Sequence, residues 1–168
     1  LKQDYATALT APTVTREGYT FIGWLDQDGK SVQVPETVPN ANVTYMAQWK
    51  INQYTVTFKL YDDAQDVVKT QDYGSALTAP DVTRTGYTFT GWSPAVPETV
   101  PAQNVTYTAQ WQINQYTLTF NANGGTGGKT LTQNYGTKVT APTVMRTGYT
   151  FVGWSPEVPE TVPAENMT

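Results

Sequence analysis

Cysteine and histidine are both missing from the 168 residues. Without a thiolate or an imidazole, no Ser-His-Asp or Cys-His plan for nucleophilic catalysis can be assembled. The usual zinc and haem ligands are missing with them. Charge is scarce as well. Charged residues make up 14% of the chain, against roughly 25% in ordinary soluble domains. The net charge is −4 and the sequence pI about 4.6, which argues against a nucleic-acid partner or an anionic membrane surface. No apolar run reaches the ~18 residues that would suggest a membrane span, so no membrane insertion is expected. The first residues, Leu1 to Tyr5, lack the apolar stretch of a signal peptide, no sorting signal closes the sequence, and both ends read as those of a fragment. The lack of cysteine fits the cytosol, and it fits surface proteins that are stable without disulfides equally well.

What fills the chain is threonine, thirty residues of it, with eleven Tyr, five Trp and five Phe. A disordered chain cannot bury so many aromatics. The length admits one ordinary domain or two to three small ones.

An internal repeat decides between these. Gly-Tyr-Thr-Phe-X-Gly-Trp occurs at 18–24, 86–92 and 148–154, and Pro-Glu-Thr-Val-Pro at 35–39, 97–101 and 159–163. Residues 51–106 and 113–168 align without gaps at 34 identical positions of 56. The repeats are therefore placed at 1–50, 51–112 and 113–168. The first lacks the opening strand and carries a six-residue insertion within 25–39. The second is complete, and the third lacks the closing strand. The joint Trp49 to Tyr54 contains no Gly, Ser or Pro, so it is not a loose linker of the Gly/Ser kind. The repeats should follow one another as a semi-rigid string, with a radius of gyration above the roughly 15 Å of one compact domain of this length.

Each repeated segment alternates with period two, as half-buried strands do. Tyr116-Thr-Leu-Thr-Phe120 and Tyr107-Thr-Ala-Gln-Trp111 place large groups on one face and polar ones on the other. In Gly86 to Trp92 strict alternation would turn Trp92 outward. An interior glycine commonly marks a β-bulge that re-aims the next side chain, so Gly91 is expected to bring Trp92 inside, and Trp24 and Trp154 likewise. Asn121 to Gly125 reads as a hairpin turn, and the Pro-rich 93–101 as extended backbone. Helix signals are weak: at most one short turn per repeat, near Gly74 to Leu77. The expected core of the complete repeat is Tyr54, Val56, Phe58, Tyr87, Phe89, Trp92, Tyr107, Ala109 and Trp111. Because the first and third repeats each lack a strand, both should leave an unpaired edge. The partner of Tyr54–Phe58, either residues beyond Lys69 or residues of repeat 1, fixes the phase of the folding unit.

Five motifs suggest chemistry and read more simply as structure or composition. Gly124 to Thr130 resembles the end of a phosphate loop, but Asn123 stands where the first glycine is needed and a strand follows instead of a helix. Asp26-Gln-Asp-Gly29 lacks the span and the closing Glu of a calcium loop and has the Asp-Gly pair of a tight hairpin. Asp62, Asp63 and Asp66 read as solvated loop charge. Glu36, Glu98 and Glu160 recur once per repeat, where so small a module offers no deep cleft for a carboxylate pair. The Asn-X-Thr triplets at 42, 104 and 166 read as products of the Thr-rich composition.

The ordered set Tyr-Thr-X-Thr-Phe-Asn-Ala-Asn-Gly-Gly (116–125), Tyr-Gly (135–136), Arg-Thr-Gly-Tyr-Thr-Phe-X-Gly-Trp and Asn-Val-Thr-Tyr-Thr-Ala-Gln-Trp (104–111) resembles the Listeria–Bacteroides repeat family and is similar to the internalin B B-repeat. The resemblance covers essentially the whole chain, departing at 59–69 and in the first-repeat insertion. It implies a β-rich α+β fold of tandem, β-grasp-like modules resembling ubiquitin or SUMO. It also implies a place in a bacterial cell-surface or secreted protein, extracellular or attached to the cell wall. No catalytic, cofactor or metal residue carries over from it, and no binding residue is assigned. The leading expectation is therefore a non-catalytic stalk that holds a head domain away from the cell wall. The alternative is an adhesion module binding a glycan or a host protein through exposed aromatics. Strand-edge pairing between molecules is the other interaction the pattern suggests.

Overall fold

The computed structural model describes residues 2–61 and 64–168. Of the acidic cluster, Asp62 and Asp63 lie outside the described residues. All regular structure among the described residues is β, and no helix occurs. This corrects the expected α+β class to all-β. The one suggested helical turn shows why. Gly74 takes φ +71°, and the chain then runs extended, held by Gly74 N–H to Val100 O (3.0 Å) and Leu77 N–H to Glu98 O (2.9 Å). Those backbone groups bond across to another segment, so none is left for an i→i−4 ladder. The helix implied by a β-grasp module has no counterpart here.

Among the described residues, nine strands form three sheets. Repeat 1 supplies β1 (Tyr19–Leu25), β2 (Ser31–Val32) and β3 (Met46–Ile51), in the order β2-β1-β3. β2 lies in the insertion, where Asp26 Oδ1 accepts from the N–H groups of Asp28 and Lys30 (both 2.9 Å). The Asp-Gly segment thus turns a hairpin. Repeat 2 supplies β4 (Gln53–Lys59), β5 (Val67–Asp72), β6 (Tyr87–Ser93) and β7 (Val105–Ile113), in the order β5-β4-β7-β6. Repeat 3 supplies the hairpin β8 (Gln115–Phe120) and β9 (Lys129–Asn134). β4 pairs antiparallel with Val67–Asp72, Thr55 facing Thr70 and Tyr54 facing Gln71. The partner of Tyr54–Phe58 is thus the hairpin arm that follows it.

Both β6–β7 and β1–β3 shift register at a glycine, between Phe89 and Gly91 and between Phe21 and Gly23. Gly91 (φ +139°) and Gly23 (φ +147°) are the bulges, and each turns the following Trp toward its sheet's aromatic cluster. Phe89 meets Trp92 and Trp111 edge-on, both at 5.5 Å. Trp24, Trp92 and Trp154 are half-buried, neither sealed in a core nor free. Residues 149–155 form no strand: β1 and β6 each pair with a following strand, and no described segment takes that place in repeat 3.

By compactness the chain forms two units, one comprising residues up to Ala79 with Pro94–Tyr107, the other Pro80–Ser93 with Thr108–Thr168. In the first, Val56 and Phe58 are fully buried, with Leu77, Val100 and Tyr107 around them. The Phe58 and Tyr107 rings stack at 5.5 Å. In the second, Leu118, Phe120, Val139 and Val162 form the core, with Trp154 edge-on to Phe120 at 5.0 Å. Of the expected core residues, Val56, Phe58, Tyr107 and Ala109 are buried, whereas Tyr54, Tyr87, Phe89, Trp92 and Trp111 are only half-buried. Leu77 and Val100 were not expected: they come from the extended segments, which dock by backbone bonds and so carry their aliphatic groups under the sheet.

None of the core residues comes from repeat 1. The hairpin strand that brings Val56 and Phe58, or Leu118 and Phe120, has no counterpart there. Among its described residues repeat 1 therefore has no buried hydrophobic core residue.

Burial raises the pKa of the Tyr107 phenol above its ordinary 10.0 by desolvating the phenolate. The folded state then holds this proton more tightly than the unfolded chain. Its contribution is complete below pH about 10 and is lost as pH rises through the raised value. In alkaline unfolding titrations, Tyr107→Phe should remove part of the stability loss above pH 10 and change nothing at neutral pH.

Candidate functional site

The chain's most elaborate polar and aromatic arrangement sits where one repeat meets the next, and it occurs twice. At the first joint the Asn52 N–H donates to Gly18 O, and Asn52 O accepts from the Tyr73 N–H, both at 2.9 Å. The Thr20 hydroxyl donates to Asn52 Oδ1 at 2.6 Å. The second joint repeats this with Asn114 between Gly86 and Tyr135 (2.9 Å each) and Thr88 on Asn114 Oδ1 (2.6 Å). Tyr73 and Tyr135 stand edge-on to Tyr19 and Tyr87, each pair at 6.1 Å. Arg16 and Arg84 cover those same tyrosines at 3.8 and 3.9 Å, where a guanidinium is attracted to the ring face.

Glycine at 18 and 86 is dictated by this packing. Both residues are buried with positive φ, +73° and +77°, and a Cβ on either would fall within the ring of Tyr73 or Tyr135. A bare backbone lets the ring lie flat on it. Both joints fall inside single compact units, while the boundary between units cuts through the middle repeat.

The remaining motifs have structural places. Glu36, Glu98 and Glu160 are exposed. What they contribute is the backbone carbonyl, accepting from Leu9, Leu77 and Val139 at 2.8–2.9 Å. Asn104 and Asn166 each accept a strand N–H, from Thr55 and Thr117, at 2.8 Å. Their recurrence thus has a structural cause besides composition. The glycine-rich loop 124–128 closes the β8–β9 hairpin with Gly125 N–H on Ala122 O (2.9 Å). Among the described residues no cluster of three acidic groups could hold a metal ion. Repeat 1 has an open groove of about 770 Å³, lined in part by Leu9, Trp24, Val34, Val38 and Tyr45. The joints themselves went unread in the sequence. The signal was present, since Ile-Asn-Gln-Tyr and Tyr-Gly/Ala recur in phase with Gly-Tyr-Thr, but only folding brings residues 21 to 55 positions apart together.

The Listeria-Bacteroides repeat domain profile matches residues 54–110 and 116–163, and the divergent InlB B-repeat domain profile matches residues 2–53. Two Evansella cellulosilytica proteins are similar. One, described as a Gly-rich membrane protein, is 32% identical over 84% of this chain. The other, described as a membrane protein, is 30% identical over 94%. Internalin H of Listeria monocytogenes is 36% identical over 62%. The chain spans 18%, 26% and 21% of the length of these relatives, respectively. No solved structure matches it. With profile matches over most of its length and the joint geometry repeated in phase with them, the chain belongs to the Listeria-Bacteroides repeat family.

Proposed function

We propose that these repeats are a non-catalytic spacer in a bacterial cell-surface or secreted protein, placed outside the cell between a head domain and its attachment to the wall. The observation that carries this is the duplicated joint. Two hydrogen bonds through one Asn backbone, a hydroxyl–amide bond and a Tyr ring on a glycine hold each repeat to the next. A spacer needs such contacts more than it needs a cleft. The relatives' names, an internalin and two membrane proteins, support a surface location. On this reading 1–50, 51–112 and 113–168 are the repeating lengths of the spacer, with the joints as its stiff points. Small-angle scattering of the chain should give a radius of gyration clearly above about 15 Å. A value at 15 Å would refute the spacer.

The groove of repeat 1 favours a second reading, adhesion to a glycan or host protein through exposed aromatics. Saturable binding of an oligosaccharide or host protein, abolished by replacing the exposed groove aromatic with Tyr5→Ala, would establish that reading.

A further inference from the structure

Of the nine asparagines, only Asn123 is followed by glycine; the others precede Ala, Val, Gln, Tyr or Met. An asparagine is open to attack on its own side-chain carbonyl by the backbone nitrogen of the next residue. A side chain on that next residue shields the nitrogen and stiffens the backbone, and glycine has none. Asp28-Gly29 is the one aspartate counterpart in the chain.

The fold separates these two pairs. In the hairpin of repeat 1 the Gly29 N–H donates to Asp26 O at 3.1 Å, so that nitrogen is already engaged. The β8–β9 turn is closed instead by the residue after the pair, through Gly125 N–H on Ala122 O at 2.9 Å. Asn123 (φ +45°) and Gly124 (φ +81°) are its two central residues, as in a type I′ turn. This leaves the Gly124 N–H with no acceptor among the described residues. The Asn123 carboxamide has no partner among them either, unlike that of Asn121, whose Oδ1 accepts from the Asn123 N–H at 2.9 Å. Asn123 and Gly124 are both exposed. Arg146 completes the arrangement. Its Nη1 donates to Asn123 O at 3.1 Å, the carbonyl of the same peptide whose nitrogen has to react. A cation on that oxygen stabilises the anion formed when the N–H loses its proton.

We propose that Asn123 of the folded chain is a deamidation site and that Arg146 promotes the reaction there. The proposal does not depend on the spacer reading. Solvent hydroxide removes the Gly124 proton, and the nitrogen attacks Asn123 Cγ. The N–Cγ bond forms, the Cγ–Nδ2 bond breaks, and Nδ2 leaves as ammonia with a proton taken from water. Water then opens the cyclic imide at either carbonyl, giving aspartate or isoaspartate at 123. Rotation about the Asn123 Cα–C bond brings the two atoms together, and Gly124 has no Cβ to oppose it. The new carboxylate arises beside the Arg146 guanidinium, and isoaspartate adds a carbon to the main chain of the turn. The hairpin altered in this way supplies Leu118 and Phe120 to the core.

The test is incubation of the unaltered chain in mildly alkaline buffer, at a temperature where its amide spectrum remains that of the folded protein. Peptide mapping by mass spectrometry should show Asn123 converting several-fold faster than any other asparagine. Isoaspartate should be among the products, with ammonia released in equal amount, and Asp28 should stay unisomerised over the same period. An Asn123 that keeps its amide while other asparagines convert overturns the inference, and so does equal conversion of them all. Arg146→Gln should slow the conversion several-fold, and an unchanged rate in that variant overturns the part given to Arg146. Because Arg146 also covers the Tyr149 ring, the variant's amide spectrum is compared first, and the mapping of the unaltered chain decides the site whether or not the variant folds.

Discussion

Gly86→Val should destabilise the chain by several kcal/mol, while Gly148→Val should cost far less. The two glycines share one φ, +77° and +79°, so the conformational penalty is common to both, about 1–2 kcal/mol for a side chain in the left-handed region. At Gly86 the new Cβ also meets the Tyr135 ring, whereas at Gly148 a Cβ has nothing within 4 Å. Forcing a group into an occupied, well-packed place adds about 1–3 kcal/mol. It also displaces the ring that stands on Tyr87. Denaturant unfolding of the two variants measures the difference directly. Equal losses would mean that the ring-on-glycine contact holds nothing. A change in slope with Gly86→Val, in addition to a lower midpoint, would show that unfolding had ceased to be a single transition and that the joint couples neighbouring repeats.

Phe58→Ala should be the most damaging single truncation, at about 3–5 kcal/mol. Phe58 is fully buried and stacked on Tyr107, with Val56, Leu77 and Val100 as the other buried hydrophobic residues described in its unit. Domains of this size have only about 5–15 kcal/mol in total, so this unit should lose a large part of its stability. Phe21→Ala, in repeat 1, should do much less. Phe21 is 36% exposed although it touches Trp24 and Trp49 edge-on. Thermal unfolding of the two variants tests whether the core lies under β4 or in the aromatic clusters of the Gly-Trp strands. An unchanged melting curve for Phe58→Ala would show the second.

Sequence periodicity was enough for the strands of the complete repeat and its glycine bulge. Each depends on neighbours two residues apart or on one turn: Tyr54, Val56 and Phe58 must face one way, and Gly91 alone can absorb an extra residue. Family membership was legible for the same reason, since it lies in the order and spacing of short motifs. Three things awaited the tertiary structure. The extended path of 74–77 depends on carbonyls at Glu98 and Val100, more than twenty residues on, which local propensity cannot sense. The inward place of Leu77 and Val100 follows from that docking and has no alternation to announce it. The joints join Gly18 to Asn52 and Tyr73, and Gly86 to Asn114 and Tyr135. A glycine there looks like any turn glycine until a ring from the next repeat is laid upon it, because what requires it is a contact and not a local conformation.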